Sequence, residues 1–225
     1  LVLEENLKKL KERVARACDR AGRNPDEIRL VAVTKEFPPE IINQAIELGI
    51  KEIGENRVQE ARAKYGLIKK GVIWHMVGHL QRNKVKKALE IFDIIQSVDS
   101  ERLAREISKR AEKEVPILVE VNTSKEKTKF GVEPETVDTL IEVVADLPNL
   151  KLLGLMTIGP GWAISDPEAS RPCFRLLSDL RKKIEDRFQI VLPILSMGMS
   201  SDFEVAIEEG TTMIRVGTAI FGPRG

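Results

Sequence analysis

The sequence predicts an α/β fold, a single (β/α)8 barrel over residues 1–225 with one extra helix ahead of it. Three observations carry this expectation. Short β-rich runs alternate with longer stretches of helical period, which requires crossovers and therefore parallel strands. The alternation yields eight strands after the opening helix, and eight such units in 225 residues fit a closed barrel at the small end of its size range. The turn after the first strand, Thr34-Lys35-Glu36-Phe37, contains no glycine, whereas an open doubly wound sheet holding a dinucleotide needs a Gly-rich turn there.

The elements follow in order. Leu3, Leu7, Leu10, Val14, Ala17 and Ala21 share one face of an opening helix, which stops near Gly22 and Pro25. Strands are expected at 30–34, 52–54, 73–77, 93–97, 117–122, 151–157, 191–195 and 213–216. Between them, residues 39–48, 101–113, 135–145 and 171–188 carry helical periodicity. Pro38-Pro39 marks one helix start, and Gly49 and Gly210 follow two helix ends.

Composition narrows the function classes. Hydrophobic residues are 42% and charged residues 32%, a globular profile with ample apolar surface to bury. Aromatics are only 4%, so Ile, Val, Leu and Ala must build the core. A net charge of +1 offers no global field for nucleic acid or an anionic membrane. The cluster Arg82, Lys84, Lys86 and Lys87 reads as a solvated helix face. No apolar run approaches the ~20 residues of a membrane span and no signal-peptide pattern opens the chain, so the expectation is a cytoplasmic protein. Cys18 and Cys173 fall on apolar helical faces and read as buried thiols. No group of Cys, His, Asp or Glu has metal-ligand spacing, so no metal is expected.

The barrel itself locates the chemistry. Active groups in this fold sit at the carboxyl ends of the strands, and phosphate is often held by the loops after strands seven and eight. The first strand, Val31-Ala32-Val33-Thr34, delivers Lys35 to that mouth. Burial there lowers a lysine's pKa and makes it an amine nucleophile toward carbonyls, although a lone lysine is more often solvated or salt-bridged. The loops Ser196-Met197-Gly198-Met199-Ser200-Ser201 and Gly217-Thr218-Ala219, the second directly behind Arg215, offer free N–H groups and hydroxyls suited to a phosphate. Ser200 or Ser201 with Asp202 would also serve as an ordinary helix cap, which leaves Ser196, Gly198, Gly217 and Thr218 unexplained. A reactive lysine facing such a cup describes a site for a phosphorylated aldehyde.

These residues carry a resemblance. Val31-Ala32-Val33-Thr34-Lys35, Gly54-Glu55-Asn56 with Gln59-Glu60, Trp74-His75 with Gly78, and Leu195-Ser196-Met197-Gly198-Met199-Ser200 occur in that order. Arg215-Val216-Gly217-Thr218-Ala219-Ile220-Phe221-Gly222 completes them. The sequence resembles the pyridoxal phosphate homeostasis proteins, whose fold is that of the barrel domain of alanine racemase. The resemblance implies pyridoxal 5′-phosphate (PLP) held as a covalent aldimine (Schiff base) on Lys35. It implies phosphate contacts from Ser196, Gly217, Thr218 and the Gly198-Met199 backbone, Arg215 beside the pyridine nitrogen, and Asn56 and Met156 along the ring. For Asn56 a helix-capping role is an alternative, and for Met156 simple packing. Lys129 reads either as a neighbour of the ring or as a surface lysine. His75, on strand three, reads as a hydrogen-bonded structural histidine, and Tyr65 as a mid-helix residue far from the mouth.

Carrier and enzyme readings compete. A carrier or buffer of PLP, probing apo-enzymes transiently and monomeric, needs only the lysine and the cup. A weakly active PLP-dependent racemase needs an acid–base group on each face of the substrate, and racemases supply one from a second domain. The given sequence reaches Gly222-Pro223-Arg224-Gly225 just after the eighth strand, which leads to the expectation of no such domain. An arginine at the pyridine nitrogen also disfavours ring protonation and weakens the electron sink. A third reading, a Schiff-base aldolase, would draw on Glu120, Asn122 and Thr157 in strands five and six.

Overall fold

A computed structural model describes residues 2–223; Leu1, Arg224 and Gly225 lie outside the described residues. Eight parallel strands close into a barrel in chain order, β1 pairing with both β2 and β8. The strands are β1 (Arg29–Val33), β2 (Glu52–Glu55), β3 (Ile73–Met76), β4 (Ile94–Val98), β5 (Val115–Glu120), β6 (Leu150–Met156), β7 (Ile194–Ser196) and β8 (Met213–Val216). The helices are α1 (Val2–Ala21), α2 (Pro39–Glu47), α3 (Val58–Tyr65), α4 (Val85–Leu89), α5 (Glu101–Arg110), α6 (Val137–Asp146), α7 (Arg171–Phe188), α8 (Phe203–Glu208) and α9 (Thr218–Phe221).

The expected barrel is therefore observed, and the departures are local. The seventh strand begins at Ile194, not at Val191, because Val191 is solvent-exposed and Pro193 has no N–H for a ladder. The fifth runs from Val115 and ends at Glu120, two residues before its expected end. Tyr65 is the last residue of α3, not a mid-helix one, and its ring packs 5.4 Å from Trp74.

Two apolar layers form. Between strands and helices lies the main core, including Leu7 and Leu10 of α1, Phe174 and Leu177 of α7, and Phe203 of α8. Inside the barrel a smaller cluster of Val31, Leu118, Met156, Ile194 and Met213 plugs the centre. Because strand side chains alternate in and out, these residues identify the inward phase of β1, β5, β6, β7 and β8. That phase includes Arg29, Ser196 and Arg215, and Glu52, His75 and Gln96 of β2, β3 and β4 join them inside through a chain of hydrogen bonds.

No helix among the described residues is long and apolar enough to cross a membrane. Cys18 and Cys173 are buried free thiols.

Candidate functional site

A continuous hydrogen-bond chain runs through the barrel interior, from Arg29 and Glu52 at the strand starts to Arg215 beneath the mouth, and its proton positions follow from chemistry. Glu52 receives both ends of the Arg29 guanidinium at 2.9 Å, and its carboxyl lies below the usual range: burial pushes it up, but His75 and Arg29 outweigh this. An ionised carboxylate only accepts, so His75 donates from Nε2 to Glu52 Oε2 at 2.9 Å. Burial lowers the His75 pKa and leaves the ring neutral, so Nδ1 accepts from Gln96 Nε2 at 2.9 Å. Gln96 Oε1 accepts the Ser196 hydroxyl proton at 2.7 Å. Ser196 Oγ in turn accepts from Arg215 Nη1 at 2.6 Å, and Arg215 Nη2 donates to the Thr157 carbonyl at 2.7 Å. The guanidinium is thus held from behind, in one orientation.

Arg215 is buried, which lowers its pKa to about 10, while Glu120 and Asp202 raise it. It remains cationic at neutral pH. Glu120 ends β5 and is 4% exposed. Burial first, then the nearby Asp99, raises its carboxyl to about 7 against the pull of Arg215.

Above Arg215 lie the terminal loops. Gly198 has φ +92, and a Cβ on it would sit 2.6 Å from Ala206 Cβ and 2.9 Å from Phe203 Cα, so only glycine permits this turn. The turn lets the Gly198 carbonyl accept from Arg215 N at 3.0 Å and sends Met199-Ser200 over β8. Asp202 does not cap α8 with its side chain; it accepts from Met199 N at 2.7 Å and from Ser170 Oγ at 2.6 Å. Ser200 Oγ accepts from Gly217 N at 3.3 Å and Ala219 N at 3.2 Å. One oxygen gathering two backbone N–H groups at the start of α9 is the arrangement a phosphate oxygen would take up.

Lys35 lies two residues past β1, in the alternation phase of Arg29 and Val31, and is half-buried. Phe37 packs on Phe221 of α9 with centroids 4.7 Å apart, tying the Lys35 turn to the element that opens at Thr218. Asn56 follows β2 and is half-buried. The helix-cap alternative for it is not seen, since the N-cap of α3 is Arg57. Gly78 holds the backbone close there: a Cβ would meet Asn56 O at 2.5 Å. Met156 is fully buried in the barrel plug. Lys129 pairs with Glu126 at 2.9 Å and donates to the Gly159 carbonyl, bridging the loops after β5 and β6. His79 stacks on Phe130 at 3.8 Å and bonds Asp99 at 3.1 Å.

Gly198, Met199, Gly217 and Thr218 thus lie on adjoining loops with Lys35 alongside. Ser196 sits lower, its hydroxyl committed to Gln96 and Arg215, and Ser200 stands where the sequence reading placed Ser196. Gln96 was not anticipated. Its signal was a polar residue in Ile94-Ile95-Gln96-Ser97-Val98, a strand buried on both faces. Among the described residues no group of His, Cys, Asp and Glu could hold a metal.

Residues 5–225 match the family model described as alanine racemase, N-terminal domain. A pyridoxal phosphate homeostasis protein of Aquifex aeolicus is 47% identical over 224 residues, covering 98% of this chain and 97% of the relative. The chain belongs to the pyridoxal phosphate homeostasis protein family. The structure of the Synechococcus elongatus PipY protein with PLP bound superposes with a TM-score of 0.85 at 32% identity, covering 98% of this chain and all of its own (100%). Alanine racemase of Clostridium difficile shares the fold alone, with a TM-score of 0.77 at 15% identity; the match covers 99% of this chain and 56% of the racemase.

Proposed function

We propose that this chain, as one cofactor-binding domain, binds PLP through a Schiff base on Lys35 and acts in PLP homeostasis as a buffer or carrier. The observation that carries the reading is the Ser200 oxygen gathering the Gly217 and Ala219 N–H groups beside a half-buried lysine of the inward phase. The PLP-bound relative supports it.

The residues fit the group chemically. A phosphate needs N–H and O–H donors, and Gly217, Ala219, Ser200 and the exposed Thr218 supply them, with Gly198 and Met199 shaping the loop. Ser196 contributes by aiming Arg215. When bound, PLP would supply an aldehyde reactive toward amines, and Lys35 would be the amine presented to it. The cationic, back-braced Arg215 would face the pyridine nitrogen and keep it unprotonated. Asn56 and Met156 would border the ring.

Two features favour a carrier over a racemase-like enzyme. Relatives spanning nearly the whole chain are named for homeostasis. His75 is locked as a neutral structural link between Glu52 and Gln96. We place the carrier in the cytoplasm as a monomer that meets apo-enzymes transiently. The test is transfer: PLP-loaded protein mixed with a PLP-dependent apo-enzyme should activate it. Rapid turnover of free amino acids without any activation would overturn the carrier reading.

A further inference from the structure

The peptide groups on both sides of Lys35 are gripped by a single ion pair. Lys64, near the end of α3, is 8% exposed and directs its ammonium inward to three acceptors. These are the Thr34 carbonyl at 2.8 Å, Glu55 Oε1 at 3.0 Å and Glu60 Oε1 at 2.6 Å. An ammonium has three N–H donors, so each has an acceptor. Glu60, one helical turn before Lys64, accepts the Glu36 amide with the same oxygen. The carbonyl just before Lys35 and the amide just after it are therefore anchored to the two halves of one i,i+4 pair. Thr34 adds a hydroxyl bond to Glu55 Oε1 at 2.7 Å and a backbone bond to Gly54 O at 2.9 Å.

Just past the second anchor the chain turns sharply. Glu36 has φ +68, a left-handed conformation that a residue with a Cβ disfavours. The Glu36–Glu60 bond braces the turn that follows Lys35. Exposed lysines and glutamates on a short helix would ordinarily make a weak surface pair. Here the pair is turned onto the backbone of the residue proposed to react.

We propose that Lys64 and Glu60 are positioning residues that hold Lys35 in the attack direction toward an aldehyde carbon at the barrel mouth. This rests on the reading of Lys35 as the Schiff-base lysine. Both act through the backbone around Lys35, the Lys64 ammonium being committed to Thr34, Glu55 and Glu60. Their contribution is to the geometry in which the Lys35 amine meets the carbonyl, so they govern the rate of covalent capture more than the affinity of the phosphate cup. Misorientation of a nucleophile is costly in rate even where binding is unchanged.

The experiment uses Glu60→Ala, Glu60→Gln and the wild-type protein. Glu60→Ala deletes the acceptor of the Glu36 amide while Lys64 keeps Thr34 and Glu55. Glu60→Gln keeps an acceptor oxygen. Two quantities are read. One is the affinity for pyridoxine 5′-phosphate, which has an alcohol in place of the aldehyde and reports the cup alone. The other is the rate at which PLP becomes trapped on Lys35 by borohydride. The expected result is capture slowed about tenfold or more in Glu60→Ala, analogue affinity within about twofold of wild type, and Glu60→Gln close to wild type in both. Capture by Glu60→Ala at the wild-type rate would overturn the positioning role. So would equal loss of capture and analogue binding, which would mark the pair as structural. A wild-type protein that binds the analogue yet traps nothing on Lys35 would overturn the Schiff-base reading itself, and the positioning role with it.

Discussion

Replacing Glu120 by Gln should change how the stability of this protein depends on pH. In the folded chain burial and Asp99 hold the Glu120 carboxyl at about 7, against an ordinary value of 4.5. A carboxyl whose pKa is raised by folding binds its proton more tightly in the native state. Its contribution is therefore full below the ordinary pKa and is lost as pH rises through about 7. At roughly 1.4 kcal/mol per pH unit, that interval amounts to about 3 kcal/mol, most of it falling between pH 5 and 8. The attraction of Arg215 is already contained in the folded value. Gln has the same shape as a protonated Glu and cannot ionise, so Glu120→Gln should escape the loss. Urea unfolding of both proteins without PLP, at pH 5 and pH 8, gives a double difference in which the titrating groups not coupled to Glu120 cancel. The variant should gain on the wild type by about 2–3 kcal/mol over that span. Parallel pH dependences would refute the reasoning and mean that water or an ion relieves the burial of Glu120.

Three other perturbations follow from the same geometry. Gly198→Ala puts a Cβ against Ala206 and Phe203 at positive φ; it should cost about 1–3 kcal/mol of stability and weaken PLP binding, both measurable by thermal shift with and without PLP. Ser200→Ala should weaken PLP binding by about tenfold to a hundredfold, the worth of a hydrogen bond to a charged group, and, by stranding the Gly217 and Ala219 N–H groups, lower the stability of the ligand-free protein by about 1–2 kcal/mol in denaturant unfolding. Gln96→Leu strands His75 Nδ1 and the Ser196 hydroxyl inside the barrel; denaturant unfolding should show a loss of about 2–4 kcal/mol.

The legibility of the sequence differed between fold and site. Residues 213–216 and 171–188 carry in the sequence the boundaries the structure shows, because the first is a short apolar run closed by Gly217 and the second has a clear period of 3.6. The start of β7 was missed because Val191 and Leu192 look like strand while Pro193 and exposure exclude it. Lys35, Arg215, Gly217 and Thr218 could be placed together at one end of the barrel from the sequence because the fold delivers strand ends to one face. Ser196 and Ser200 could not be told apart. Both follow the same strand, and only the turn at Gly198 shows that one points down to Arg215 and the other up to Gly217. The chain through Gln96 was hidden for a different reason: Gln96 and Ser196 are 100 residues apart, and no local pattern pairs them. The Lys64 anchor was hidden too, since a lysine on a short polar helix looks like any solvated one.

The most direct test of the account is borohydride reduction of the PLP-loaded protein followed by peptide mapping. The account predicts a reduced pyridoxyl adduct on Lys35 and its absence in Lys35→Ala, which should keep part of its affinity for pyridoxine 5′-phosphate. An adduct confined to another lysine in the wild-type protein, or no adduct at all despite saturating PLP, would contradict it.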